Sequence, residues 1–222
     1  MRVKASKLEE IKEFLSALQS EKSKPNCYVN QYSTKTLHHE ITTENLEKYL
    51  ISVCIKNPKY MFVGEAPGWR GCRITGIPFT SEFILKNSIS GMYFGEDTVF
   101  EIVNNGNPSK EQTVKIVWEV FLRDEYLKKN IIPCFWNAFP FHPHKPNNLI
   151  SNRKPSREEL LLGKKYLEKV YELFNCPKVV TIGKVARSVL RNIDCKGIIE
   201  IRHPSFGGKT EFNKGMERLL TL

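Results

Sequence analysis

The chain has six cysteines, at 27, 54, 72, 134, 176 and 195, but no C-x-x-C pair. Their spacings fit no zinc template. At 222 residues the chain is too long to depend on a disulfide scaffold, so reduced thiols are expected. The glycine loop that begins GEAPGW lacks G-x-G-x-x-G and is not followed by G-K-S/T, so it is neither a dinucleotide fingerprint nor a P-loop. No apolar run approaches the ~20 residues that cross a bilayer. The opening MRVKASKLEEIKEFLSALQ reads as an amphipathic helix, not as the apolar core of a secretory leader. Repeats and low-complexity tracts are missing too. Acid is scarce: 24 Asp and Glu stand against 34 Lys and Arg, a formal charge of +10. That balance favours a polyanionic partner but carries no sequence information about it. Hydrophobic residues make up 41%, enough for a real core and against disorder.

What is present alternates. Leu8, Ile11, Phe14, Leu15 and Leu18 recur at helical spacing. TTENLEKYLISVCIKN predicts a second helix opened by a Thr cap, and KYMFVGE a short buried strand. PFTSEFILKN predicts a helix, and residues 88–110 a loop or insertion. SKEQTVKIVWEVFLRDEYLKK has a strong apolar stripe, with Ser109 as its expected cap. NIIPCFWNAFP reads as a second strand, apolar enough to be buried on both faces. SREELLLGKKYLEKVYELF opens on a capping box, Ser156 to Glu159. PKVVTIG, KVARSVLRN, GIIEIR and KTEFNKGMERLLTL then give strand, helix, strand, helix. This order predicts an α/β fold: a three-layer sandwich with a central four-stranded, mainly parallel sheet flanked by helices.

Ligands of such sheets bind beyond the carboxyl ends of the strands. Three unusual loops fall there: GEAPG, WNAFPFHPH and RHPSFGG. In the first, four glycines at 64, 68, 71 and 76 let backbone approach a ligand closely, and Glu65 follows the strand directly. In the second, Asn137 offers both a donor and an acceptor, enough to match a nucleobase edge. His142 and His144 form an H-x-H that lacks further metal ligands in the sequence; solvent or phosphate contact is expected of them. In the third, His203 ends a strand, and the amides after it can meet a phosphate backbone.

These motifs resemble those of the uracil-DNA glycosylase superfamily, over roughly residue 59 to the C-terminus. GEAPG with TGIPF is similar to the first motif of its family 4 enzymes, NAFPFHP stands in place of the uracil-recognition motif, and HPS is the third. The resemblance implies one glycosylase domain over 1–222, whose N-terminal helical extension, about 1–58, takes no part in the match. It implies that Phe79 stacks on an extruded base, Asn137 pairs with the pyrimidine edge, and His203 donates to O2 as charge develops. Gly64 and Ala66 line the pocket, and Glu65 places or activates the water. Pro204 and Ser205 press on DNA, with Arg70 and Lys145 as further DNA contacts. An enzyme acting on a base must take it out of the stack.

Family 4 enzymes carry an iron–sulfur cluster. Phe141 stands at the place of one ligand and the N-terminal C-x-x-C is missing, so no cluster, metal or other cofactor is expected. WRGCRI replaces an acidic stretch, removing that family's second carboxylate. The implied function is a monofunctional glycosylase that removes uracil from single- or double-stranded DNA. It would be a monomer without membrane contact, cytoplasmic, and nucleoid-associated in a prokaryote. A glycosylase for another damaged base, a catalytically silent DNA or uracil binder, and a hydrolase of free nucleosides are the alternatives.

Overall fold

A computed structural model describes residues 3–86, 93–95, 98–195 and 197–221. Its centre is a parallel sheet of four strands in the order β3-β2-β5-β6. These are β2 (Tyr60–Gly64), β3 (Cys134–Asn137), β5 (Lys178–Ile182) and β6 (Ile198–Ile201). A two-stranded antiparallel ribbon joins β1 (Tyr28–Val29) to β4 (His142–Pro143). Every residue of β2 is buried, as its unbroken apolar run requires of a strand covered on both faces.

Side chains that alternate along β3 build the two outer layers. Phe135 meets Trp118 and Phe121 of α5 (Gln112–Phe121) on one face. Trp136 meets Phe14 of α1 (Ala5–Ser20) on the other, where Phe14 also reaches Tyr166 of α7 (Arg157–Phe174). The fold class expected from the sequence is therefore the one observed. The capping box of α7 is present as read, with Ser156 and Glu159 each bonding the other's backbone.

Several boundaries differ, each for a local reason. The second helix, α2 (His39–Lys56), starts ahead of Thr42, whose hydroxyl instead donates to the Gln31 carbonyl at 2.7 Å. Ser109 does not cap α5: its N–H donates to the Glu82 carboxylate at 2.9 Å, and the helix begins at Gln112. The second strand is confined to Cys134–Asn137. It lies at the sheet edge, and the Tyr49 hydroxyl bonds both the N–H and the carbonyl of Phe135, groups that a further strand would otherwise claim.

The segment read as a loop over 88–110 falls partly outside the described residues. Its described part is held down. Glu82, at the start of α4 (Glu82–Lys86), accepts hydrogen bonds from the N–H groups of Val103, Asn104 and Ser109. Asn45 of α2 bonds both backbone groups of Glu101. Burial pushes the Glu82 carboxyl up, but its hydrogen bonds from Asn104 and Ser109 outweigh this and hold it below the ordinary range.

Candidate active site

The parallel register brings three loops together. Gly64 pairs with Asn137, Val63 with Thr181, and Ile182 with Ile201. Beyond Ile182, the Gly183 N–H donates to the Ile201 carbonyl at 2.8 Å, carrying the ladder one step further. The GEAPG, NAF and RHPS loops thus leave the sheet at the carboxyl ends of its strands and enclose a cleft of about 620 Å³.

On one wall the ring of Phe79 lies against Gly64. A β-carbon on Gly64 would sit 2.4 Å from Phe79 Cζ and 3.0 Å from Asn137 Oδ1. Phe79 has φ +54°, a left-handed conformation uncommon for a bulky residue. It is held there by Trp118, whose indole N–H donates to the Phe79 carbonyl at 2.7 Å, and by Phe135, 5.0 Å from it between ring centroids. The turn that delivers Phe79 is braced by the N-terminal segment. The Tyr32 hydroxyl donates to Gly76 O at 2.7 Å, and Asn45 Nδ2 to Thr75 O at 3.0 Å. Gly76 has φ +76°, and a β-carbon there would lie 2.0 Å from Thr42 O, so only glycine fits.

Asn137 is 4% exposed and lines the cleft. Its side-chain amide has no protein hydrogen-bond partner among the described residues, whereas buried amides are ordinarily paired. The backbone around it is fully used: Ala138 N–H donates to Gly64 O at 2.8 Å and Phe139 N–H to Glu65 O at 3.0 Å. These two bonds fix the first loop against the second. Glu65 is left with its side chain in the cleft. Burial pushes its carboxyl up, opposed by the charge of Lys154.

Opposite stands His203. The Ser205 N–H, which can only donate, meets its Nδ1 at 3.2 Å, and the Ser205 hydroxyl lies 2.7 Å from the same atom. Nδ1 is therefore the acceptor, and the neutral ring carries its proton on Nε2. Burial, with help from Arg202, lowers the pKa of His203 and favours that neutral form. Gly183, at φ +93°, leaves room for the imidazole: a β-carbon there would be 3.1 Å from His203 Cβ.

The structure gathers Glu65, Ala66, Phe79, Asn137, His203 and Ser205 in one cleft, with Gly64 beneath the Phe79 ring. Pro204 is buried in its loop, and Ser205 is committed to His203. The residue of that loop that projects is Phe206, 97% exposed at φ +51°. Arg70, stacked at 4.4 Å on Trp69, and Lys145 are exposed and lie outside the cleft lining; Lys154, Lys184 and Arg202 are the exposed cations within it. The expectation that His142 and His144 meet solvent or phosphate is wrong: both are buried. His142 Nδ1 is 2.8 Å from Pro67 O and its Nε2 is 3.1 Å from Leu149 O, so it braces the first loop from behind. Burial drives its pKa down to about 4.

Two cleft residues escape a reading by motif. Phe206 looks like part of a glycine turn, and Glu111 looks like a surface acid ahead of a helix. Among the described residues no group of three or more His, Cys, Asp or Glu side chains is placed to hold a metal ion, and no helix is long and apolar enough to cross a membrane.

Comparison with known proteins bears on the family and the fold. The family model described as the uracil DNA glycosylase superfamily matches residues 51–219. The crystal structure of wild-type Pedobacter heparinus SMUG2 superposes with a TM-score of 0.64 at 16% identity, over 97% of this chain and 95% of that one. The N-terminal helices are thus included in the structural likeness. No curated protein matches the sequence.

Proposed function

The chain belongs to the uracil DNA glycosylase superfamily, and from that premise we propose that it hydrolyses the N-glycosidic bond of a uracil flipped out of DNA, leaving an abasic site. The observation that carries this reading is the unpartnered amide of Asn137 at the edge of a cleft whose wall is the Phe79 ring. An extruded base that stacks on Phe79 presents its polar edge to that amide. Stacking of this kind is worth ~1–3 kcal/mol and offsets part of the cost of unstacking.

The chemistry follows from the other two loops. As the bond between N1 and C1′ breaks, electrons flow onto the base and the sugar becomes cationic. His203, neutral and protonated on Nε2, is suited to donate to the O2 atom that gains charge. A preorganised donor at such an oxyanion typically contributes about 2.7–4 kcal/mol. Glu65 faces the sugar side, where its carboxylate stabilises positive charge and takes a proton from the attacking water as that oxygen bonds C1′. Lys154, Lys184 and Arg202 supply cations for the phosphates on either side of the extruded nucleotide. Phe206, at the rim, is placed to enter the gap in the stack.

The decisive assay incubates the protein with oligonucleotides carrying a single uracil, hypoxanthine or mismatched thymine and then cleaves abasic sites with alkali. A break only at uracil is the expected result. A break at another base keeps the mechanism and changes the substrate. Salt-sensitive DNA binding without any break overturns the enzyme in favour of a silent binder.

A further inference from the structure

Two buried acids, Glu82 and Glu159, and one half-buried acid of the cleft, Glu111, differ in how they are satisfied. Glu82 accepts from several N–H groups. Glu159 takes both terminal nitrogens of Arg153, at 2.7 and 2.6 Å. Glu111 has no side-chain hydrogen bond or ion pair among the described residues. It holds the cap position of α5 and makes no bond to the first helical amides. Its carboxyl turns into the cleft instead. The first loop closes on it through glycines: a β-carbon on Gly68 would be 2.7 Å from both of its oxygens, and one on Gly71 would be 1.9 Å from Oε2. Side chains at 68 and 71 would expel this carboxyl.

We propose that Glu111 serves as a protonated hydrogen-bond donor to an acceptor atom of the extruded base, acting beside Asn137 in base recognition. The inference rests on the reading of the cleft as a glycosylase site. Glu111 is half-buried and unpartnered; a ligand that fills the cleft shuts its carboxyl off from water, which is costly unless the ligand supplies the partner. The surroundings favour the neutral acid. Cys72, buried at the start of α3 (Cys72–Thr75), is its near titratable neighbour. Lys110 lies over the Phe83 ring at 4.6 Å, Arg73 donates to Trp69 O and Arg70 stacks on Trp69, so none of these pairs with it. Across the cleft, Lys154 acts on Glu65, and His203 is itself held neutral. Burial alone lifts the Glu111 carboxyl to about 7. One cleft therefore holds two carboxyl groups in different environments, the usual arrangement when two acids have different tasks.

The test is the pH profile of single-turnover base release by the wild type, Glu111→Gln and Glu111→Ala. Glutamine keeps a neutral donor at every pH. The wild-type rate is expected to fall as pH rises through about 7, Glu111→Gln to lose that fall while staying within a few-fold of the wild-type maximum, and Glu111→Ala to lose roughly tenfold or more at all pH values. A Glu111→Gln variant as damaged as Glu111→Ala would identify a proton acceptor and overturn the proposal, as would an unchanged alkaline fall. Thermal midpoints give a readout independent of turnover. Because the folded chain prefers the protonated acid, Glu111→Gln is expected to exceed the wild type above pH 7 but not at acidic pH, and equal midpoints throughout would also overturn it. A wild type that releases no base at any pH would overturn the reading of the cleft itself. Release with an unaltered pH profile in Glu111→Gln would overturn only this inference.

Discussion

The Phe79 ring rests on the bare α-carbon of Gly64, so one missing methyl group decides where an aromatic wall can stand. The same α-carbon borders the Asn137 amide. On the proposed function, stacking and edge recognition are therefore both set by this single backbone position.

Replacing Gly64 with Ala is expected to push the ring out of line and lower single-turnover base release about 100-fold, the usual effect of an ångström-scale misplacement. Gly64 has no positive φ and the strand ladder is unaffected, so the fold should persist. Circular dichroism beside the rate measurement checks this. A fully active variant would remove Phe79 from the base-binding wall.

His203→Ala is expected to slow the chemical step by about 100- to 1,000-fold while changing DNA affinity little, because its donor acts on charge that exists only in the transition state. Equal losses in both would make it a binding residue. The depressed pKa of His203 adds a sign: the neutral donor survives as pH falls past the ordinary histidine value of 6.5. Activity should therefore hold through mildly acidic pH and drop only further down.

Phe206 exposes nearly its whole ring to water in a conformation that favours glycine. Phe206→Ala is expected to leave stability unchanged and to reduce uracil release from duplex DNA several-fold more than from single strands, since only a duplex has a stack to fill. Equal effects on the two substrates would make Phe206 a general rim contact.

Stability should depend on pH through His142. Its folded value near 4 lies below the 6.5 of the unfolded chain, so between these values the unfolded state binds more protons. The contribution is complete above about 6.5 and is lost as pH falls towards 4, amounting to roughly 3 kcal/mol. Denaturant titrations of wild type and His142→Asn across this range measure it; parallel curves would say that other groups dominate acid unfolding.

The amino-acid sequence by itself determined the alternation of strand and helix, because the apolar runs around Phe62 and Val180 and the stripe of Val114, Val117 and Trp118 are local patterns. It also determined where the three loops leave the sheet, and hence that Glu65, Asn137 and His203 face one cleft. Tertiary structure decided the rest. Whether a histidine is a surface contact or a buried brace depends on what covers it, and His142 is covered by Pro67 and Leu149 from separate loops. Glu111 enters the cleft only because Gly68 and Gly71, some forty residues away in the chain, leave space for it. The N-terminal segment lies outside the recognisable motifs, yet Tyr32, Thr42 and Asn45 brace the turn that aims Phe79. Periodicity records which face of an element is apolar; it holds no record of which distant residue that face will meet, and the arrangement of this site is made of such meetings.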